Sequence, residues 1–242
     1  LELGSLASYP QRMDLWYREH FGMRNELFRW NSWFHWAVLN TSNVPEKVII
    51  GKHGWLFQYN EHVDGNYRGI RKYSFAQLEA IRANYERRQA KLAQHGISYY
   101  LMIPPLSGNI HREHMPDRLH RVSSSTWLDE IRDHFRKYSS VPIIDPTNAL
   151  LQAKKHAPIY FKTDIHWNRY GAYFGYEELI ERIRKDRPTV GAPWPLSDFT
   201  FEPEVNDRAD LANMLGLNDV LTRVEPVCRT ERPRSATFRS NP

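Results

Sequence analysis

Apolar residues between positions 11 and 39 are dense rather than periodic: Leu15, Phe21, Leu27, Phe28, Trp30, Trp33, Phe34 and Leu39 leave no clean polar face. That density predicts a helix packed on two sides as a docked structural element, or one lying against a membrane or a partner. Residues 40–45 (Asn-Thr-Ser-Asn-Val-Pro) read as a loop from their turn chemistry. Beyond them, 48–50 and 55–57 predict two short strands around a tight turn bearing Gly51 and Gly54.

A long helix is expected from Ser74, whose hydroxyl can cap it. Leu78, Ile81, Tyr85 and Leu92 form its apolar stripe, Arg82, Arg87, Arg88 and Lys91 its wet face, and Gly96 its stop. Residues 97–103 are then almost continuously apolar or aromatic up to Pro104-Pro105, the pattern of a strand buried on both faces. The order repeats as a helix over 124–138 (Trp127, Leu128, Ile131, Phe135), a short strand over 141–145 and a short helix over 147–155. Helix and strand alternate at the spacing of βαβ units, which predicts an α/β sandwich with a largely parallel sheet. No internal repeat or low-complexity segment interrupts it.

Composition narrows the class. No run approaches the ~18 apolar residues of a membrane span, and the single cysteine, Cys228, excludes an internal disulfide framework and any multi-cysteine zinc site. A secreted or periplasmic location stays open, because oxidising compartments permit disulfides without requiring them. The net charge of +5 over 242 residues favours anionic surroundings only weakly. The length suits one domain with an appendage, divided as an N-terminal helical stem over 1–44 and a main domain over 45–242. Because the chain starts at Leu1 and stops at Pro242 after an arginine-rich stretch, both ends are expected to continue, with a signal peptide or anchor able to precede Leu1.

Candidate chemistry concentrates in residues 160–173. Asp164 and His166 are two apart, so in an extended segment both side chains leave on one side. A carboxylate beside an imidazole accepts the Nδ1 proton, fixes the tautomer and frees Nε2 to take a proton from a nucleophile. Asn168 is the expected cap of a following helix whose stripe is Ala172, Tyr176, Leu179 and Ile183, with Gly171 and Gly175 allowing close packing. On spacing alone, Asp164 capping a turn beside a hydrogen-bonded core histidine is an equally open reading.

Elsewhere His111, His114 and His120 read as a scattered exposed set, and the eleven histidines show no metal-ligand spacing, so neither metal nor cofactor is expected. Arg223, Arg229, Arg232, Arg234 and Arg239 read as a solvated loop, with contact to an anionic polysaccharide as the alternative. Glu225 and Glu231 interrupt them and no stacking aromatics alternate with them, so no nucleic-acid partner is expected.

The run Lys162-Thr163-Asp164-Ile165-His166-Trp167, with Gly171-Ala172-Tyr173 after it, resembles the hallmark of the alginate O-acetyltransferase family of SGNH-hydrolase-like proteins. Residues 48–57 are similar to the family's Gly-Lys-Asp-Gly-Trp-Leu-Phe hairpin, with His53 in place of Asp. Ile103-Pro104-Pro105 resembles a strand end that normally runs into a basic residue, where Leu106 stands here. Residues 210–217 resemble a recurrent Asp-Leu-x-x-Met-Leu-x-Leu element. The likeness covers positions 48–217.

The resemblance implies an SGNH-like three-layer sandwich, preceded here by the helical segment, and a circularly permuted Ser-His-Asp acyl-enzyme mechanism. Asp164 and His166 are its catalytic pair, and the serine follows much later, in a turn after an apolar strand. Ser197, Ser235 and Ser240 lack such a strand, so the nucleophile is expected beyond Pro242 and residues 1–242 alone are expected to be inactive. Trp167 is a candidate for stacking on a sugar, with bracing of the loop as its alternative, and Asn109 is a candidate oxyanion donor. The implied acceptor is an exopolysaccharide, the acetyl donor a membrane-bound acyltransferase partner, and the location the periplasm or its membrane face. A carbohydrate acetylesterase and a non-catalytic glycan-binding scaffold are the alternative functions.

Overall fold

The computed structural model describes residues 9–20, 22–206, 209–221 and 223–230. Two helices, α1 (Tyr9–His20) and α2 (Arg24–Ala37), stand where one was expected, with Gly22 in the turn between them. Glycine is the cheapest residue at which to leave a helix, because its unfolded backbone is the least restricted. The dense apolar set of these helices is largely exposed; Trp30 keeps 69% of its surface and Trp33 42%. Contacts that attach α2 to the body include an Arg29–Asp219 ion pair, an Asn43 Nδ2 to Ser32 Oγ hydrogen bond of 2.8 Å, the Phe28 ring against Gly216, and Trp36 packed on a core cluster.

Strands β1 (Val48–Ile50) and β2 (Leu56–Gln58) pair antiparallel, Ile49 opposite Phe57, around a turn in which His53 and Gly54 have φ of 57° and 79°. Successive side chains of a strand leave on opposite faces, and here both faces are dry. Val48, Ile50 and Leu56 join Leu211, Leu215, Leu217 and Leu221 in one core cluster. Ile49, Trp55 and Phe57 join Ile110, Leu150, Ile159 and Tyr160 in the other. An unbroken Val-Ile-Ile run suits such a strand.

Helix α3 (Glu61–Arg68) was not legible as a stripe. Its two turns are mostly polar, and the Asn60 side chain holds it by accepting from the amides of His62 and Val63. Helix α4 (Phe75–Ala93) has the expected Ser74 cap, completed into a capping box by Gln77. Strand β3 (Leu101–Met102), α5 (Ser107–Ile110), α6 (Trp127–Tyr138), β4 (Ile143–Ile144), α7 (Thr147–Ala153) and α8 (Arg169–Asp186) follow.

The largely parallel sheet is corrected to a single short pair. Among the described residues β3 and β4 alone run parallel, Leu101 opposite Ile143, and the other two sheets are antiparallel hairpin-like pairs. The 97–103 run is accordingly not buried on both faces: Ile97, outside the two-residue strand, is exposed and Leu101 is half-buried. β5 (Phe199–Asn206) pairs antiparallel with β6 (Arg223–Thr230), and α9 (Asp210–Leu215) and α10 (Asn218–Leu221) lie between them in the chain. Arg223 and Arg229 therefore belong to a strand and not to the expected loop; Arg232, Arg234 and Arg239 lie outside the described residues, as do Ser235 and Ser240. Among the described residues no helix is long and apolar enough to cross a membrane.

A charged knot ties α4 to α6. Glu79 accepts from Arg82 at 2.7 Å on its own helix and meets His134 Nε2 at 2.7 Å on the other. The Arg82 guanidinium, then the His134 ring, hold the Glu79 carboxyl down to about 2. A carboxyl whose folded pKa lies below its unfolded value stabilises fully above the unfolded pKa of roughly 4.3 and loses that contribution as pH falls toward 2. Stability measured by urea unfolding from pH 5 to 2 is expected to fall less steeply in Glu79→Gln than in the parent. Parallel profiles would show that this carboxyl does not carry the acid dependence.

Candidate active site

Residues 160–167 form a loop closed at its base by an antiparallel bridge between Tyr160 and Trp167. The Asn168 amide donates to Ile159 O at 3.0 Å. The Lys162 carbonyl accepts from the Leu56 amide at 2.8 Å, fastening the loop to β2. The Thr163 carbonyl accepts from the amides of Leu211 and Ala212, fastening it to α9. Asn168, fully buried, does two jobs: its Nδ2 donates to Pro158 O at 2.8 Å and its Oδ1 accepts from the Gly171 amide at 2.9 Å, capping α8.

Asp164 and His166 meet on this loop. Asp164 Oδ1 accepts from the His166 amide at 2.8 Å and lies 2.7 Å from His166 Nδ1. Its Oδ2 accepts from the Asp210 amide at 3.1 Å. The carboxylate side chain is 5% exposed, so three donors replace the water that its charge would otherwise need. The acceptor at Nδ1 selects the Nδ1–H tautomer and leaves the Nε2 lone pair outward. The imidazole is not walled in: 64% of its side-chain surface is open.

Asp210 is the residue that the sequence reading placed near the fold and not at the site. Its carboxylate Oδ2 stands 3.6 Å from His166 Nδ1, a second acid beside the same nitrogen. No spacing rule joins positions 164 and 210; the Asp-Leu start of α9 was the available signal, and it reads equally well as a helix beginning. Asp164, His166 and Asp210 also form a group whose donor atoms lie within 4.8 Å of one another, which is enough to hold a metal ion. The hydrogen bond that engages Nδ1 with Asp164 argues for the proton-relay use of the pair.

Trp167 is half-buried, with its ring edge against Gly175, where an added Cβ would approach Cη2 to 2.6 Å. That contact braces the loop on α8. Asn109 lies on α5, 5% exposed, lining with Ser107, Phe57 and Ile165 a cavity of about 30 Å³, and its Oδ1 finds no partner. Beside the start of α8, Arg169, Tyr173, Tyr176, Trp194 and Phe199 line a larger, mostly aromatic cavity of about 300 Å³.

Of the histidines expected to be scattered and exposed, His120 is exposed, but His111 and His114 are not. His111 is 3% exposed and lies under Trp55, ring centroids 4.3 Å apart, with His114 stacked on the same indole at 4.9 Å. The turn that carries them packs on the 51–54 turn, a juxtaposition that sequence spacing does not contain.

Residues 48–240 match the family described as SGNH hydrolase-like domain, acetyltransferase AlgX. The chain is 26% identical over 217 residues to the probable alginate O-acetylase AlgJ of Pseudomonas aeruginosa, covering 86% of this chain and 51% of that protein. It is 25% identical over 220 residues to the protein of the same description from Pseudomonas putida, with 83% and 52% covered. The chain thus spans about half the length of the curated relatives it matches. Among solved structures, the O-acetyltransferase domain of Pseudomonas putida AlgJ aligns with a TM-score of 0.56 at 21% identity, over 78% of this chain and 66% of that one. Bacillus cereus PatB1 with a sulfonyl adduct aligns at 0.52 and 18% identity, over 76% and 56%. These likenesses establish the SGNH-like fold, in a mixed helix-and-sheet form with small sheets.

Proposed function

This chain belongs to the AlgX family of SGNH hydrolase-like acetyltransferase domains, and from that we propose that it is the His-Asp half of a Ser-His-Asp O-acetyltransferase acting on a cell-envelope polysaccharide. The observation that carries the reading is the His166 ring, held at Nδ1 by the buried Asp164 carboxylate at 2.7 Å and open to solvent on its other side.

In this reading a serine hydroxyl from outside residues 1–242 approaches Nε2. His166 takes its proton as Oγ adds to the acetyl carbonyl, and returns the proton to the departing group, leaving acetyl-serine. A sugar hydroxyl then gives its proton to Nε2 and attacks the acetyl-serine, regenerating both residues. Asp164 stabilises the imidazolium in each half, and the Asp210 amide keeps the carboxylate from turning away. The aromatic cavity beside α8 supports a sugar acceptor: ring faces of Tyr176, Trp194 and Phe199 suit pyranose faces, and Arg169 suits the carboxylate of an acidic sugar. Trp167, two residues before Arg169, is a further stacking candidate, though its ring edge against Gly175 braces the loop. A membrane-bound acyltransferase supplying acetyl, and a periplasmic setting, complete the proposal.

The open imidazole favours one second reading. Unless an acceptor covers it, water reaches Nε2 as easily as a sugar does, which is acetylesterase chemistry. Full-length protein incubated with an activated acetyl ester, with and without an acidic oligosaccharide, separates the two. Acetylated sugar in the product supports transfer; acetate alone, unchanged by the sugar, means hydrolysis. No turnover together with no labelling by a serine-directed fluorophosphonate would leave a glycan-binding scaffold.

A further inference from the structure

We infer that the Asp210 side chain is a positioning residue for the proposed acetyl transfer: a second carboxylate that, together with Asp164, holds the Nδ1 edge of the His166 ring and stabilises the imidazolium. The inference rests on His166 being the base.

The place of this carboxylate is built by the core. Asp210 opens α9 between Ala209 and Leu211, which are 1% and 0% exposed and belong to the cluster that holds Val48, Ile50 and Leu56. The Leu211 and Ala212 amides donate to Thr163 O at 3.1 and 3.2 Å, and the Asp210 amide donates to Asp164 Oδ2 at 3.1 Å. Three consecutive amides of α9 thus grip two consecutive residues of the 160–167 loop, and the Asp210 backbone cannot drift from the ring. From that anchor its Oδ2 reaches to 3.6 Å from His166 Nδ1. That is too long for a hydrogen bond, which Asp164 already supplies at 2.7 Å, but close for two charges.

Among the described residues, Asp164 and Asp210 are the ionic groups within ion-pair distance of the His166 ring, and no lysine or arginine pairs with Asp210. Lys162 and Arg169, the nearest cations along the chain, do not reach the ring nitrogens at that distance. Asp164 is buried under three donors, whereas the Asp210 side chain is 42% exposed and faces the ring with its charge. A neutral imidazole gains little from such a neighbour, and a protonated one gains a charge–charge attraction. The effect therefore falls on the states in which Nε2 holds the serine or sugar proton, which is where catalysis benefits. Charges at this separation, both partly in water, couple by about one pKa unit. An acid serving only the start of α9 would leave the ring as it is.

The test compares Asp210→Asn and Asp210→Glu with the parent in the full-length protein, with thermal melts as the folding control. Diethyl pyrocarbonate modifies an unprotonated, open imidazole, so its rate at His166, followed by peptide mass against pH, reports how firmly the ring holds a proton without any acetyl transfer. Asp210→Asn is expected to move the half-point of that profile down by roughly 0.5 to 1 pH unit, and to lower kcat about threefold to tenfold at unchanged KM. Asp210→Glu, which keeps the charge, is expected to recover most of both. A half-point unmoved in Asp210→Asn, or equal losses in the two variants, would overturn the assignment in favour of a helix-start role. Rates abolished by a chelator and restored by Zn²⁺ would give the three donors to a metal ion and overturn it as well. A parent without acetyl transfer would remove the mechanism and this role together, whereas an unmoved half-point in an active enzyme removes this role alone.

Discussion

Acetyl transfer by the full-length protein is expected to fall by roughly 10⁴- to 10⁶-fold in His166→Ala, with a stability loss of about 1–2 kcal/mol as the buried Asp164 carboxylate loses its Nδ1 donor. The ring is largely solvent-exposed, so its removal costs little packing, while the base proposed to take the serine proton disappears. Asp164→Asn is expected to cost about 10³- to 10⁴-fold, because an amide has one acceptor oxygen where the donors engage two, stabilises the imidazolium poorly and can select the wrong tautomer. Asp210→Asn separates positioning from chemistry. It keeps the backbone amide that holds Asp164 Oδ2 and alters only the second carboxylate, 3.6 Å from Nδ1. Initial rates for the three variants, with circular dichroism melts as the folding control, decide the matter. Activity of His166→Ala within tenfold of the parent would remove the acyl-transfer mechanism.

Gly171→Ala is expected to destabilise the protein by about 3 kcal/mol, read as a lower urea midpoint at unchanged slope. A Cβ at this position would sit inside the van der Waals surface of the Ile159 carbonyl, oxygen and carbon both, and backbone cannot rotate away as a side chain can. The same carbonyl accepts from the Asn168 amide, so any retreat of Ile159 loosens the helix cap and the base of the 160–167 loop together. Gly191→Ala is the matched control: nothing lies within 4 Å of its added methyl and its φ is not left-handed. Equal midpoints for the two variants would show that α8 does not approach Ile159 as closely as described.

Much of the hairpin, the helix caps and the Asp164–His166 hydrogen bond were legible beforehand, each for a local reason. Ser74 and Asn168 cap helices because a short side-chain oxygen reaches amides only two or three residues on. Asp164 and His166 meet because two residues of extended chain suffice to bring them together. The parallel sheet was over-read from the 97–103 run, since an apolar stretch reports that it prefers to leave water but not how many strands flank it.

What the sequence determined by itself, then, is whatever chemistry spans a few residues: the 48–58 hairpin, the caps, and a carboxylate oriented toward an imidazole. Tertiary structure alone decided which distant groups share a site. It brought the Asp210 amide and carboxylate to the 164–166 pair across forty-odd residues, and it buried His111 and His114 beneath Trp55. The physical reason is that local bonds are dictated by covalent reach, whereas contacts between remote segments follow from how two apolar faces of one hairpin each find a core.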